Sequence, residues 1–186
     1  DIASGSFGKS FFRSENVADM IARRGPLTAQ IGIGAVVLSW IIGIPVAIIS
    51  ALRPNSIGDN VARFISIFFL AIPGFWLGML IIFAILFTSK AWFGQSWMPP
   101  ITYRPLWVDP MHNLSMLIWP AIATGYRYSA VATRMTRSAM LEVLREDYVR
   151  TARAKGLLEH LIVTRHALKT ALLPVVTVIG IEFAFL

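Results

Sequence analysis

The chain has no cysteine, and histidine occurs only three times in 186 residues. Without cysteine there is no disulfide framework and no thiolate metal site. His112, His160 and His166 are scattered along the chain, so we expect no metal site. No carboxylate pair or nucleophile–base pattern indicates catalysis, and we expect no catalytic residue and no enzyme activity.

Charge is also scarce, since 15% of the residues are charged whereas 56% are hydrophobic and the mean hydropathy is +0.65. The apolar residues form blocks near the length of about 20 residues that crosses a bilayer. We therefore expect an integral membrane protein surrounded by lipid. In a soluble domain a net charge of +7 would indicate nucleic acid. The positive-inside bias explains it more simply, so no nucleic-acid partner is expected.

One apparent nucleotide motif fails. Gly8-Lys9-Ser10 ends like a phosphate-binding loop, but Ala3 stands where the motif requires glycine, and no strand precedes it. We expect this chain to bind no ATP itself.

The apolar pattern predicts one all-α transmembrane domain over residues 1–186, cut at both ends. Before the first span, a short helix is predicted to start at Ser14 and to stop at Gly25-Pro26. The predicted spans are about 28–52, 64–88, 113–134 and 171–186.

Small residues within the spans allow helices to approach closely, notably Gly34 and Gly43 in the first span. Gly74 and Gly78 have a GxxxG spacing and either face another helix or are incidental neighbours of a kink at Pro73. In the 89–112 loop, Trp and Tyr rings indicate anchoring at the membrane interface, with an aromatic ligand cage as the alternative.

The loops set the predicted orientation. Residues 53–63 and 134–170 share one side and carry ten Lys and Arg, against six in 1–28 and 89–112. The richer side is expected to be cytoplasmic. Residues 1–28 and the 89–112 loop are then extracytoplasmic.

The basic segment (135–174) holds seven of the seventeen Lys and Arg residues. Met140, Leu144, Tyr148 and Ala152 form an apolar stripe on a predicted 140–155 helix, suited to a cleft in a partner. Gly156 permits a turn with positive φ into a second helix. The alternative is a basic amphipathic helix lying on anionic lipid.

Two stretches in this segment, EDYVRTARAKGL and RHALKTALLP, resemble the cytoplasmic signature of ABC importer permeases, in particular the B component of dipeptide and oligopeptide transporters. Gly156 and Ala152 match the glycine and last alanine of that signature, whereas Arg150 and Thr151 replace its Glu and first Ala. AIPGFWLGML (71–80) is similar as well.

The resemblance implies a multi-pass α-helical permease of a bacterial-type cytoplasmic membrane, with a cytoplasmic coupling helix, importing peptides. It implies four partners: a second homologous permease, two ATPase subunits that bind ATP and Mg²⁺, and an extracytoplasmic solute-binding protein. No cofactor is expected on this chain. The implied ATPase-coupling residues are Glu146, Asp147, Tyr148, Arg150, Ala152, Arg153, Lys155, Gly156 and Leu157.

Arg127 and Glu182 are charges within predicted spans, and such charges usually face a bundle interior or an aqueous path. We expect them to line the translocation path. Arg127 is also shallow enough to extend to the cytoplasmic interface, and the two side chains are alternatively a structural pair. A rival function is a secondary transporter or channel subunit with Glu182 as its ion site and the basic segment bound to lipid.

Overall fold

The computed structural model describes residues 7–10 and 14–184, except for the side chain of Glu182, and most of the described residues are helical. The helices are α1 (Val17–Leu52), α2 (Ile57–Ala71), α3 (Gly74–Phe93), α4 (Pro110–Val143), α5 (Asp147–Ala154), α6 (Glu159–Leu161) and α7 (Leu168–Ala184), with a π-helical turn, Ile162–Ala167, between the last two. Three segments are long and apolar enough to cross a membrane, namely α1, α3 and Glu159–Ile181.

The long helices α1 and α4 run parallel and pack through glycines. A Cβ placed on Gly43 would lie 2.9 Å from the carbonyl oxygen of Ser129, and one on Gly125 would lie 3.0 Å from that of Ala35. The predicted close approach at Gly43 is therefore confirmed. A Cβ on Gly74 or Gly78 would meet nothing within 4 Å, so this pair faces no other described helix of the chain.

Helix α1 corrects the prediction at its start. Gly25-Pro26 does not stop a short helix, because α1 continues through Pro26 and Pro45 to Leu52. A proline removes one hydrogen bond from a helix, and the bonds on either side keep this helix continuous.

The predicted second span is two helices rather than one. Ser56 caps α2 by accepting a hydrogen bond from the backbone N–H of Asp59, so this helix starts within the predicted polar loop. Helix α2 ends at Ala71, and the next residue, Ile72, is extended with ψ of 126°. Proline disfavours a helical conformation in the residue before it, and Pro73 thus separates α2 from α3.

Helix α4 extends past the predicted third span, because it ends at Val143 rather than near Arg134. It contacts α1, α2, α3 and α7 and buries polar side chains such as Asn113, Thr133 and Thr136. A helix at the centre of the bundle needs less apolar surface than one that faces lipid. This explains why α4 is not among the segments apolar enough to span on composition alone.

Candidate functional site

The predicted 140–155 helix is broken, and its apolar stripe largely faces this chain's own core. Helix α4 ends at Val143, and α5 begins at Asp147. Met140 and Ala152 belong to one buried cluster, while Leu144 packs against it and Tyr148 remains exposed. The prediction that the stripe seats in a partner's cleft is thus wrong for three of its four residues, because burial within the chain already removes them from water.

Helix α5 rests on the bundle through Val149, which is fully buried, and Ala152. The same cluster contains Ala51 from the end of α1 and Ile162 and Ala167 from the π-helical turn. Helix α5 therefore shares one buried cluster with the end of α1, the end of α4 and the π-helical turn before α7. A displacement of α5 would be transmitted through close-packed side chains to all three.

The outer face of α5 presents charge and apolar surface together. Its exposed residues include Glu146, Asp147, Tyr148, Arg150, Arg153, Lys155, Gly156, Leu157 and Leu158, and we call these nine the α5 surface. Arg153 binds Glu159 through two hydrogen bonds, of 2.7 and 3.1 Å. Arg150 lies 3.4 Å from Asp147, so Lys155 is the cation of this surface without an ion pair to any described residue.

Gly156 has φ of +77°, which confirms the predicted turn. Its N–H donates to the carbonyl of Arg153 at 3.0 Å, and the N–H of Leu157 donates to that of Ala152 at 3.3 Å. These bonds close the end of α5 and reverse the chain into α6. Most residues other than glycine are strained in this conformation.

A buried ion pair braces the same end of the molecule. The guanidinium of Arg137 donates to both carboxylate oxygens of Asp59, at 2.6 and 2.7 Å. The Asp59 carboxylate also accepts from the Ser50 hydroxyl and, at 2.8 Å, from the N–H of Asn55. It joins the end of α1, the start of α2 and α4. The Arg137 hydrogen bonds hold the pKa of Asp59 well below its usual range, although burial opposes this.

The sequence did not predict this pair. It did place the 53–63 loop and the basic segment on one side, and the contact between Asp59 and Arg137 agrees with that. Ser56 followed by Asp59 three residues later is a helix-start pattern that could have located α2.

Of the two predicted path residues, the structure describes the side chain of Arg127 alone. Arg127 is exposed on α4 and makes no ion pair with any described residue. Glu182 lies in α7, but its side chain is outside the described part. Their role on a translocation path thus stays a prediction.

The remaining predictions concern smaller features. Trp92, Trp97 and Trp107 are exposed and do not stack on one another, so these rings form no cage among the described residues. Described His, Asp and Glu side chains form no group of three suited to a metal ion.

Comparison with known proteins shows which family this chain belongs to. Residues 43–186 match the family model described as "Binding-protein-dependent transport system inner membrane component". The chain is 37% identical over 182 residues to an oligopeptide transport system permease protein of Bacillus subtilis strain 168, covering 97% of this chain and 56% of that protein. It is 37% identical over 175 residues to a dipeptide transport system permease protein of the same organism, covering 94% and 52%.

A dipeptide transport system permease protein of Lactococcus lactis subsp. cremoris strain MG1363 is 35% identical over 178 residues, covering 95% of this chain and 54% of that protein. The chain spans about half the length of the curated relatives it matches. The resemblance in the sequence is thereby confirmed, and the chain is an integral membrane protein that belongs to the family of binding-protein-dependent transport system inner membrane components.

Proposed function

We propose that this chain is a permease subunit of an ATP-driven peptide importer of a bacterial cytoplasmic membrane. It would form part of the translocation path and receive force from ATPase subunits at the α5 surface. Peptide as the cargo is supported by the relatives, which are named as oligopeptide and dipeptide permeases. A second permease, two ATPases and an extracytoplasmic binding protein would complete the complex.

The observation that carries the proposal is the position of α5. Its inner face is packed on the ends of the long helices, while its outer face is exposed and carries charges of both signs. Interfaces of this type combine a buried anchor with charged pairs at the rim. Tyr148, Leu157 and Leu158 are the exposed apolar anchors, and Arg150 and Lys155 are the rim cations.

Mechanism follows from this arrangement. When ATP closes the ATPase dimer, α5 moves as a rigid unit, because Val149 and Ala152 fix it to the cluster beneath. The π-helical turn below α5 belongs to a class of helix irregularity that is frequent at functional sites. It passes the movement to α7, whereas Met140 passes it to α4.

The test is reconstitution of the whole complex in proteoliposomes with a labelled dipeptide. We expect uptake to require ATP and the binding protein, and to be unaffected by collapse of the proton gradient. Uptake driven by a proton gradient without ATP would overturn the proposal and favour a secondary transporter.

A further inference from the structure

A cleft opens at the end of the bundle that carries the basic segment. It has a volume of about 670 Å³ and lies between α2, α4 and α7. Its polar lining consists of Arg63, Arg134, Arg137, Ser138 and Glu142.

The charges in the cleft are not equivalent. Arg137 is neutralised by Asp59 through two short hydrogen bonds. Arg134 is exposed and has no hydrogen bond or ion pair with any described residue. Arg63 donates a hydrogen bond to the side-chain oxygen of Asn60 and lies 3.7 Å from the already paired Asp59, and its side chain is 44% exposed. The cleft therefore offers Arg134 as an unpaired cation for an anionic ligand, with the partly paired Arg63 and the carboxylate of Glu142 in the same lining.

From these charges we propose that this cleft is the cytoplasmic exit site of the translocation path and holds a short peptide by its two charged ends. This rests on the proposed function. Arg63 and Arg134 bind the C-terminal carboxylate, and Glu142 binds the terminal ammonium.

The spacing along α4 suits such a ligand. Arg134, Ser138 and Glu142 recur every fourth residue, which places them on one helical face. At 1.5 Å per residue the first and last are about 12 Å apart along the axis. An extended tripeptide spans about 10 Å.

The walls of the cleft connect it to the α5 surface. Helix α4 runs from Arg134 and Glu142 directly to the turn before α5, and Pro174 lines the cleft on α7, which follows the π-helical turn. A movement of α5 would thus change the width of the cleft. A site that opens and closes with the ATPase cycle is suited to releasing transported peptide rather than to storing lipid.

The test uses the absence of native cysteine in the chain. A Ser138→Cys variant is assembled with its partners in nanodiscs without the binding protein. The rate at which a charged maleimide labels the new thiol is then measured in the presence of a tripeptide, and again with the same tripeptide amidated at its C-terminus. We expect the free peptide to slow labelling. The amidated peptide should give equal protection only at an about tenfold higher concentration, because it lacks one charged hydrogen bond. Ser96→Cys, exposed in the loop after α3 and outside the cleft, should be labelled at one rate throughout.

Adding Arg134→Gln to Ser138→Cys should remove the difference between the two peptides. Arg145→Gln, at an exposed arginine outside the cleft, should preserve it. Equal protection by both peptides would overturn the proposal. So would labelling that responds to phosphatidylglycerol in the nanodisc and not to peptide, which would make the cleft a lipid site. We also measure ATP-driven peptide uptake by the wild-type complex, which tests the proposed permease function separately from the exit site. Normal uptake without protection of the Ser138→Cys thiol by peptide would refute the exit site alone.

Discussion

Breaking the Asp59–Arg137 pair should lower the free energy of unfolding, and by different amounts depending on which of the two residues is replaced. The Asp59 side chain is completely buried, whereas that of Arg137 is 17% exposed. Replacing Arg137 with Met therefore leaves a buried carboxylate with the Ser50 hydroxyl, the Asn55 N–H and the more exposed Arg63 at 3.7 Å. Removing one partner of a buried pair typically costs about 3–5 kcal/mol.

Asp59→Asn should cost less, about 2 kcal/mol, because the amide keeps part of the hydrogen bonding and Arg137 can reach water. The double variant should be more stable than the sum of the two losses predicts, by about 1–3 kcal/mol, which is the range for residues in direct contact. Equilibrium unfolding in mixed detergent micelles measures all three free energies.

Arg63→Met is the matched control. Arg63 lies 3.7 Å from Asp59 but is 44% exposed, so its loss should cost less than about 1 kcal/mol. Additive effects of Asp59→Asn and Arg137→Met, or an equal loss from Arg63→Met, would refute the claim that this pair braces α1, α2 and α4.

Three further predictions follow from local geometry. Gly156→Val should strain the turn by about 1–3 kcal/mol and lower the amount of peptide transported per ATP hydrolysed, while Gly156→Asn, tolerated at positive φ, should stay near wild type. An equal amount of peptide per ATP in the two variants would contradict this. Gly43→Ala should lower stability by about 1–3 kcal/mol in the same micelle assay, because its Cβ would meet Ser129, and Gly78→Ala, with nothing within 4 Å, should not. Because the pKa of Asp59 is lowered on folding, its contribution to the free energy of unfolding should be constant from neutral pH down to about 4 and decline only below that. A loss of this contribution between pH 7 and 5, measured by unfolding at each pH, would contradict the prediction.

Much of the fold could be read from the sequence because apolar runs and glycines report on bilayer and helix contacts directly. The turn at Gly156 was predictable since few residues other than glycine adopt a positive φ. The break at Pro73 was visible only as a kink, although the proline rule for the preceding residue allowed a complete separation.

The orientation of α5 could not be predicted. Met140, Leu144 and Ala152 show the same periodicity whether they face a partner or their own chain, and periodicity does not tell these surfaces apart. The Asp59–Arg137 pair joins residues 78 apart in sequence, so no local pattern indicates it.

Contact between the α5 surface and an ATPase is the central claim, and site-specific cross-linking tests it most directly. In the chain, which lacks native cysteine, Lys155→Cys and Leu157→Cys each give one thiol on this surface, and Trp92→Cys gives an exposed thiol on α3. With a short bifunctional maleimide and the complete complex, the first two should join the ATPase in a yield that changes with ATP, and the third should not. Cross-links from Trp92→Cys but none from the α5 surface would contradict the account.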